Sequence, residues 1–69
     1  MMYLVGTIAD VTDNGTLATL ILDAGHRQHQ LQADSRQLAD GLAALFGEDW
    51  VGKAVAVQYD GSMLASIEI

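Results

Sequence analysis

The alternation of apolar and polar residues along the chain predicts three strands, one amphipathic helix and a final two-stranded hairpin. The first runs are rich in β-branched residues or alternate with period two, and both patterns are typical of strands. A run with helical spacing follows them, and two short alternating runs complete the chain. The predicted strands span residues 3–12, 16–23 and 26–33, and the hairpin strands lie on either side of Asp60-Gly61.

The first strand does not alternate regularly. Val5, Ile8 and Val11 recur at three-residue steps across Gly6. Such a step moves a side chain to the other face of a strand unless one residue is bulged out, and glycine inside a strand often marks a bulge or bend. We therefore expect Gly6 to supply the strong bend that a small barrel needs in its first strand.

Two dipeptides predict tight hairpin turns. Asn14-Gly15 separates the first two strands, and Asp60-Gly61 separates the last two. Both residues of Asn14-Gly15 tolerate positive φ, so a type I′ turn is expected there, and Asp60-Gly61 is another dipeptide typical of the primed hairpin turns.

The second and third strands differ sharply in polarity. Apolar residues occupy both faces of the second strand, which predicts burial on both sides of at least its second half. The third strand is almost entirely polar. Its side chains divide by the two-residue period, with Gln28, Gln30 and Gln32 on one face and Arg27, His29 and Leu31 on the other.

A capping box predicts where the helix begins. Asp34 is the expected N-cap and Gln37 follows it at the position that completes the box. Gly47 is the expected C-cap in the left-handed region. A single apolar stripe with helical spacing is formed by Leu38, Leu42, Leu45 and Phe46.

The final hairpin is expected to alternate cleanly in both strands. One face of the fourth strand is predicted to carry Val51, Val55, Val57 and Tyr59, opposite Ala54, Ala56 and Gln58. In the fifth strand, Met63, Ala65, Ile67 and Ile69 are predicted to alternate with Leu64, Ser66 and Glu68.

This order of elements resembles the OB-fold superfamily. The resemblance rests on Val5-Gly6-x-Ile8-x-x-Val11, on a helix between the third and fourth strands, and on Gly52-Lys53-x-Val55-x-Val57. It implies a single domain over residues 1–69, all-β with one helix: a small five-stranded barrel in the order β-β-β-α-β-β. Many OB-fold domains bind single-stranded nucleic acids, and others bind proteins or serve as assembly modules. An SH3-like barrel is the main alternative, and the helix before the last hairpin counts against it.

Composition narrows the function classes. The chain has nine acidic and three basic residues, a net charge of −6 and no cysteine. Nucleic-acid backbones and anionic membranes are bound by clustered Lys and Arg, so both partners are disfavoured. The first residues lack the cationic segment of a signal peptide, and no apolar stretch is long enough to span a bilayer. A cytoplasmic location is the expectation.

No residue pattern predicts a catalytic, cofactor or metal site. His26 and His29 are three apart on a strand and point to opposite faces, so they cannot share one ion without a bulge. The aspartates fall at turns and at the helix cap, which are positions that Asp favours for structural reasons. We therefore expect a protein that is not an enzyme.

The polar third strand is the best candidate contact surface, although a merely solvated face would account for the same pattern. Aromatic residues could contribute by stacking, as in single-strand binders. The candidate contact residues are Arg27, Gln28, His29, Gln30, Gln32, Tyr3 and Tyr59.

Self-association is the leading functional expectation. Hydrophobic residues make up 51% of the chain, and seven glycines add to this share. The total exceeds the apolar share, glycine included, of about 45–50% that is usual in globular domains. A domain this small cannot hide such a surplus, and strand edges without Lys or Pro favour pairing with another chain. The sequence predicts a non-enzymatic interaction or assembly module, most simply a homodimer; a weak single-stranded nucleic-acid binder is the alternative.

Overall fold

Five strands and one helix form from the segments that the sequence pattern predicts. The computed structural model of the protein describes residues 1–69. The strands close into a barrel in the order β1-β2-β3-β5-β4, so the predicted fold class and element order are confirmed. The elements are β1 (Met2–Asp13), β2 (Leu17–Ala24), β3 (Arg27–Asp34), α1 (Ser35–Phe46), β4 (Ala54–Asp60) and β5 (Met63–Glu68).

The barrel closes through one narrow contact between β3 and β5. These two strands run parallel and share a single bridge, Gln32 with Met63. At this bridge the N–H of Gln32 donates to the carbonyl of Ser62 at 2.7 Å. All other neighbouring strands are antiparallel.

Strand β1 pairs with two partners along its length. Its first half, from Met2 to Thr7, pairs with β4, and the part from Thr7 onward pairs with β2. The register with β2 shifts between Ile8 and Asp10, so the bulged residue that the three-residue steps predict is Ala9 and not Gly6. The bulge brings Ile8 and Val11 to the inner face, whereas Val5 points outward.

Gly6 is needed for a different reason, which is the close approach of β2. A methyl group on Gly6 would lie 2.8 Å from the carbonyl oxygen of Asp23 and 3.5 Å from Cβ of Leu22. Real Cβ atoms do not tolerate the first of these distances, so glycine allows the end of β2 to pack against β1.

The β1–β2 connection is not the predicted type I′ turn. Only glycines have positive φ in this protein, and Gly15 is one of them. Asn14 instead uses its side chain: Oδ1 accepts from the N–H of Thr16 at 2.9 Å and from that of Leu17 at 2.8 Å. Asparagine commonly shapes loops in this way. At Asp60-Gly61 only the glycine has positive φ, so this dipeptide does not form the centre of a type I′ turn either.

The helix begins and ends where the sequence predicts. Asp34 Oδ2 accepts from the N–H of Gln37 at 3.1 Å, and Gly47 has a φ of 68°. The hydrogen bonds do not include the reciprocal contact from the Gln37 side chain, so only half of the predicted capping box forms. Leu38 and Leu42 are buried in the barrel core, as predicted, whereas the stripe is only half-buried at its end.

The core is continuous from the sheet to the helix. It contains no buried polar or charged residue. Its buried members are Ile8, Ala18, Leu20, Leu22, Leu31, Ala33, Leu38, Leu42, Val55 and Val57.

The final hairpin departs from the predicted alternation at two positions. Val51 lies before β4 and is exposed, so it does not join Val55 and Val57 in the core. In β5 the register shifts where Gln58 pairs with Ser66 and Tyr59 with Leu64. This irregularity turns Leu64 as well as Ile67 toward the core and leaves Met63 and Ala65 exposed.

Candidate interaction surfaces

The glutamines of β3 form one exposed row on the outer face of the barrel. Gln28, Gln30 and Gln32 are all exposed and point the same way. Their partners across β2 are, in order, Asp23, Ile21 and Thr19. We call these six residues the polar face, and its amide groups are free to donate and accept hydrogen bonds.

Arg27 and His29 lie on the opposite side of the same strand. Their register partners are Ala24 and Leu22, and Leu22 is fully buried. His29 is half-buried there, and Arg27 is exposed at the beginning of the strand. Arg27 and His29 are therefore separated from the glutamine row.

The two tyrosines belong to neither group. Tyr3 is exposed on β1, where it pairs with Gln58 of β4, and β1 and β3 are not neighbouring strands. Tyr59 is half-buried and packs against the core. The structure thus brings the three glutamines together and distributes the other four candidates over other surfaces; whether any of the seven binds a partner stays a prediction.

The largest apolar exposure on the sheet lies in the first half of β1. Met2, Tyr3 and Val5 are 59%, 58% and 61% exposed. By the two-residue period Met2 lies on the face of Leu4, whereas Tyr3 and Val5 share the outer face, and we call Tyr3 and Val5 the β1 patch. Tyr3 and Val5 could have been identified as an outward pair, because Leu4 between them and Ile8 further on fall on the inner face once the bulge is placed correctly.

Few charges surround the β1 patch. Across β4 and β5, Tyr3 is in line with Gln58 and Ser66, and Val5 is in line with Ala56 and Glu68. Glu68 is the one charged residue in these two rows. In the next row Thr7 lies opposite Asp23, so Asp23 and Glu68 are the two of the nine acidic residues that border this face.

The same stretch of β1 has an open backbone edge. The backbone groups of Ile8 point toward the β4 side of the strand. Its N–H donates to the carbonyl of Lys53 at 2.9 Å, and its carbonyl accepts from the N–H of Gly52 at 2.8 Å. Hydrogen-bonding direction alternates along an antiparallel strand, so Tyr3 and Val5 direct their N–H and C=O groups to the other side. Pairing with β2 begins only at Thr7, and these four groups therefore face no strand.

A cleft of about 220 Å³ opens between α1, the end of β1 and Trp50. Its only polar side chains are Asp13 and Ser35, and the Ser35 hydroxyl donates to Asp13 Oδ2 at 2.5 Å. This hydrogen bond, together with a second one from the N–H of Gly15, lowers the pKa of Asp13. The cleft is smaller than the pockets of about 300–1,000 Å³ that usually hold small ligands. The remaining lining residues are Val11, Ala18, Ala39, Leu42 and Trp50.

Positive charge is sparse on every surface. Arg27, Arg36 and Lys53 are all exposed, and Lys53 lies 3.8 Å from Asp49, four residues earlier in the chain. Such an exposed pair contributes about 0–1 kcal/mol. The polar face itself carries a carboxylate, Asp23, rather than a cation.

No protein-family model, curated protein or solved structure matches the chain. Its one helix, α1, is too short to cross a membrane.

Proposed function

We propose that this chain is a non-enzymatic interaction module that associates with itself, built on an OB-like barrel. Element order and a closed five-stranded barrel with one helix support the OB-like assignment. The self-association rests on a separate observation, the β1 patch.

The β1 patch supports a protein partner because it combines exposed apolar side chains with few surrounding charges. Contiguous apolar exposure rimmed by polar residues is a mark of interaction sites. Burial of Tyr3 and Val5 removes apolar area from water at about 25 cal/mol per Å². The net charge of −6 opposes a second copy of the chain, but Glu68 is the only charged residue in the rows of Tyr3 and Val5, so little of that charge lies at this face.

Sedimentation equilibrium over a hundredfold range of concentration tests the proposal. We expect the average mass to rise with concentration from the monomer mass of 7.3 kDa. Val5→Lys should shift this rise to higher concentration, because it places a hydrated charge in the apolar contact. Gln30→Lys is the matched control: it adds the same charge at an exposed strand position on the polar face and should leave association unchanged. A wild-type mass that stays at 7.3 kDa throughout would refute self-association.

Binding of single-stranded nucleic acid at the polar face is the second candidate, and it has less support. The glutamine row offers hydrogen-bonding groups, but single-strand binders combine basic grooves with aromatic stacking platforms. Here Tyr3 lies on another strand and Asp23 lies within the face.

A further inference from the structure

We propose that two copies associate by antiparallel pairing of β1 with β1 of the second copy, about a two-fold axis at Leu4. This inference rests on the proposed self-association and adds its geometry. It predicts a sheet that continues from β4 through β1 into the second barrel.

The open edge of β1 defines the pairing. The N–H and C=O groups of Tyr3 and Val5 point away from β4 and meet no strand, because β2 pairs with β1 only from Thr7 onward. Unpaired strand edges attract another strand. The pairing segment has to lie on the N-terminal side of Thr7, where the edge is free.

Among registers that pair only β1 residues before Thr7 with one another, one satisfies all four groups in each copy. If Leu4 lies opposite Leu4 of the second copy, then Tyr3 lies opposite Val5 of that copy, and the reverse pair also forms. Tyr3 and Val5 both direct their hydrogen-bonding groups outward, so each pair exchanges two N–H···O bonds. A register centred on Tyr3 would place Val5 opposite Met1, outside β1, and one centred on Val5 would place Tyr3 opposite Thr7, which already pairs with β2. A shift by one residue would place these groups opposite backbone that is directed toward β4.

The side chains suit the same register. Directly opposed residues lie on one face of a sheet, so each exposed Tyr3 packs beside an exposed Val5. Aromatic and β-branched residues form favourable cross-strand pairs. Leu4, which packs against the core, meets its own counterpart on the inner face. No charged residue lies between Met2 and Thr7, so self-pairing of this segment opposes no like charges. The occupant is a second copy because the free edge is self-complementary: the same four groups satisfy each other about the two-fold axis.

Mixed cysteine cross-linking tests the register, and the chain suits it because it contains no cysteine. Tyr3→Cys and Val5→Cys are made separately at these exposed positions. In the proposed dimer, residue 3 and residue 5 of opposite copies have Cα atoms about 5.5 Å apart, which is within disulfide range. The two copies of residue 3 are offset by two residues along the strands, so their Cα atoms are about 8 Å apart. That distance is too long for a disulfide.

We expect an oxidised mixture of the two variants to form the mixed disulfide dimer much faster than either variant forms its own. Mass spectrometry distinguishes the three dimers. Equal cross-linking of each variant alone, or none in the mixture while the wild type associates, would overturn the strand pairing and leave self-association standing. A wild type that remains monomeric would overturn both.

Hydrogen exchange provides a second measurement that needs no substitution. The amides of Tyr3 and Val5 should exchange fast in dilute protein and become at least tenfold slower at concentrations where the mass doubles. The amide of Leu4 points toward β4 and should change little. If the protein associates while Tyr3 and Val5 continue to exchange at the dilute rate, the pairing is wrong, whatever the cysteine variants do.

Discussion

The Ser35 hydroxyl donates a hydrogen bond to Asp13 Oδ2 at 2.5 Å, which joins the first residue of the helix to the end of β1. Asp13 Oδ1 accepts at the same time from the N–H of Gly15 at 2.7 Å. Both bonds favour the ionised carboxylate, so they hold the pKa of Asp13 below its ordinary value, with the Ser35 bond as the larger cause. The folded protein therefore binds a proton at Asp13 more weakly than the unfolded chain does.

Ser35→Ala should raise the pKa of Asp13 toward its ordinary value. A depressed folded-state pKa contributes stability that is fully present above the unfolded-state pKa and is lost as pH falls through the folded-state pKa. The difference in unfolding free energy between wild type and Ser35→Ala should thus be largest at neutral pH and shrink in acid. NMR titration of the Asp13 carboxyl measures its pKa, and denaturant unfolding at neutral and at acidic pH measures the difference in stability.

Ser66→Ala serves as the control, because Ser66 is exposed on β5 and makes no hydrogen bond with Asp13. It should leave the Asp13 titration unchanged. An Asp13 pKa that is the same in Ser35→Ala and wild type would contradict the assignment of the shift to this hydrogen bond.

Alanine at two glycines should have opposite effects on stability. Gly6→Ala forces its Cβ to within 2.8 Å of the Asp23 carbonyl oxygen, which belongs to the backbone and cannot move aside. We expect a loss of about 1–3 kcal/mol, as for other overpacked sites. Gly41→Ala meets only Cγ2 of Ile67 at 3.6 Å, which is an ordinary contact, and should stabilise the helix by up to about 1 kcal/mol. Urea unfolding of both variants gives the comparison; a Gly6→Ala protein as stable as wild type would show that β2 can move away from β1.

The sequence predicts the fold well where one strong local signal decides each element. Asp34 and Gly47 bound the helix as expected, and the spacing of Leu38 and Leu42 identifies its buried face. The outward direction of Gln28 and Gln30 follows from the two-residue period alone. These predictions depend only on residues that are close together in the chain.

The predictions that failed depend on contacts between distant residues. The three-residue step from Ile8 to Val11 shows that a bulge exists, but pairing with β2 decides that Ala9 is the extra residue. The reason for glycine at position 6 is also a distant contact: the carbonyl group that approaches it belongs to Asp23, which the local sequence does not reveal. The open edge beside Tyr3 arises from where β2 begins to pair, which the sequence pattern of β1 does not contain.

Leu42→Ala should strongly destabilise the protein. Leu42 is 1% exposed and joins the helix to the barrel core, so truncation leaves a cavity as well as losing buried apolar area. A cost of about 2–5 kcal/mol is expected. Leu17→Ala removes the same atoms at a position that is 41% exposed and should cost far less. Chemical denaturation measures both, and similar midpoints for the two variants would mean that the helix is not an integral part of the core.

Single-stranded oligonucleotides should not bind at the polar face. On that face Asp23 lies beside Gln28, and Asp10 lies beside Ile21, the neighbour of Gln30. These carboxylates repel the phosphate backbone, and no aromatic residue is available in these rows for stacking. Fluorescence anisotropy with labelled oligonucleotides at low salt should show no saturable binding at micromolar protein, which is the condition that most favours phosphate contacts. Saturable binding that weakens steeply with salt would contradict this expectation. If Gln30→Lys also strengthened it while the same substitution at exposed Gln37 on the helix did not, the nucleic acid would lie on this face and the order of the two candidate functions would be reversed.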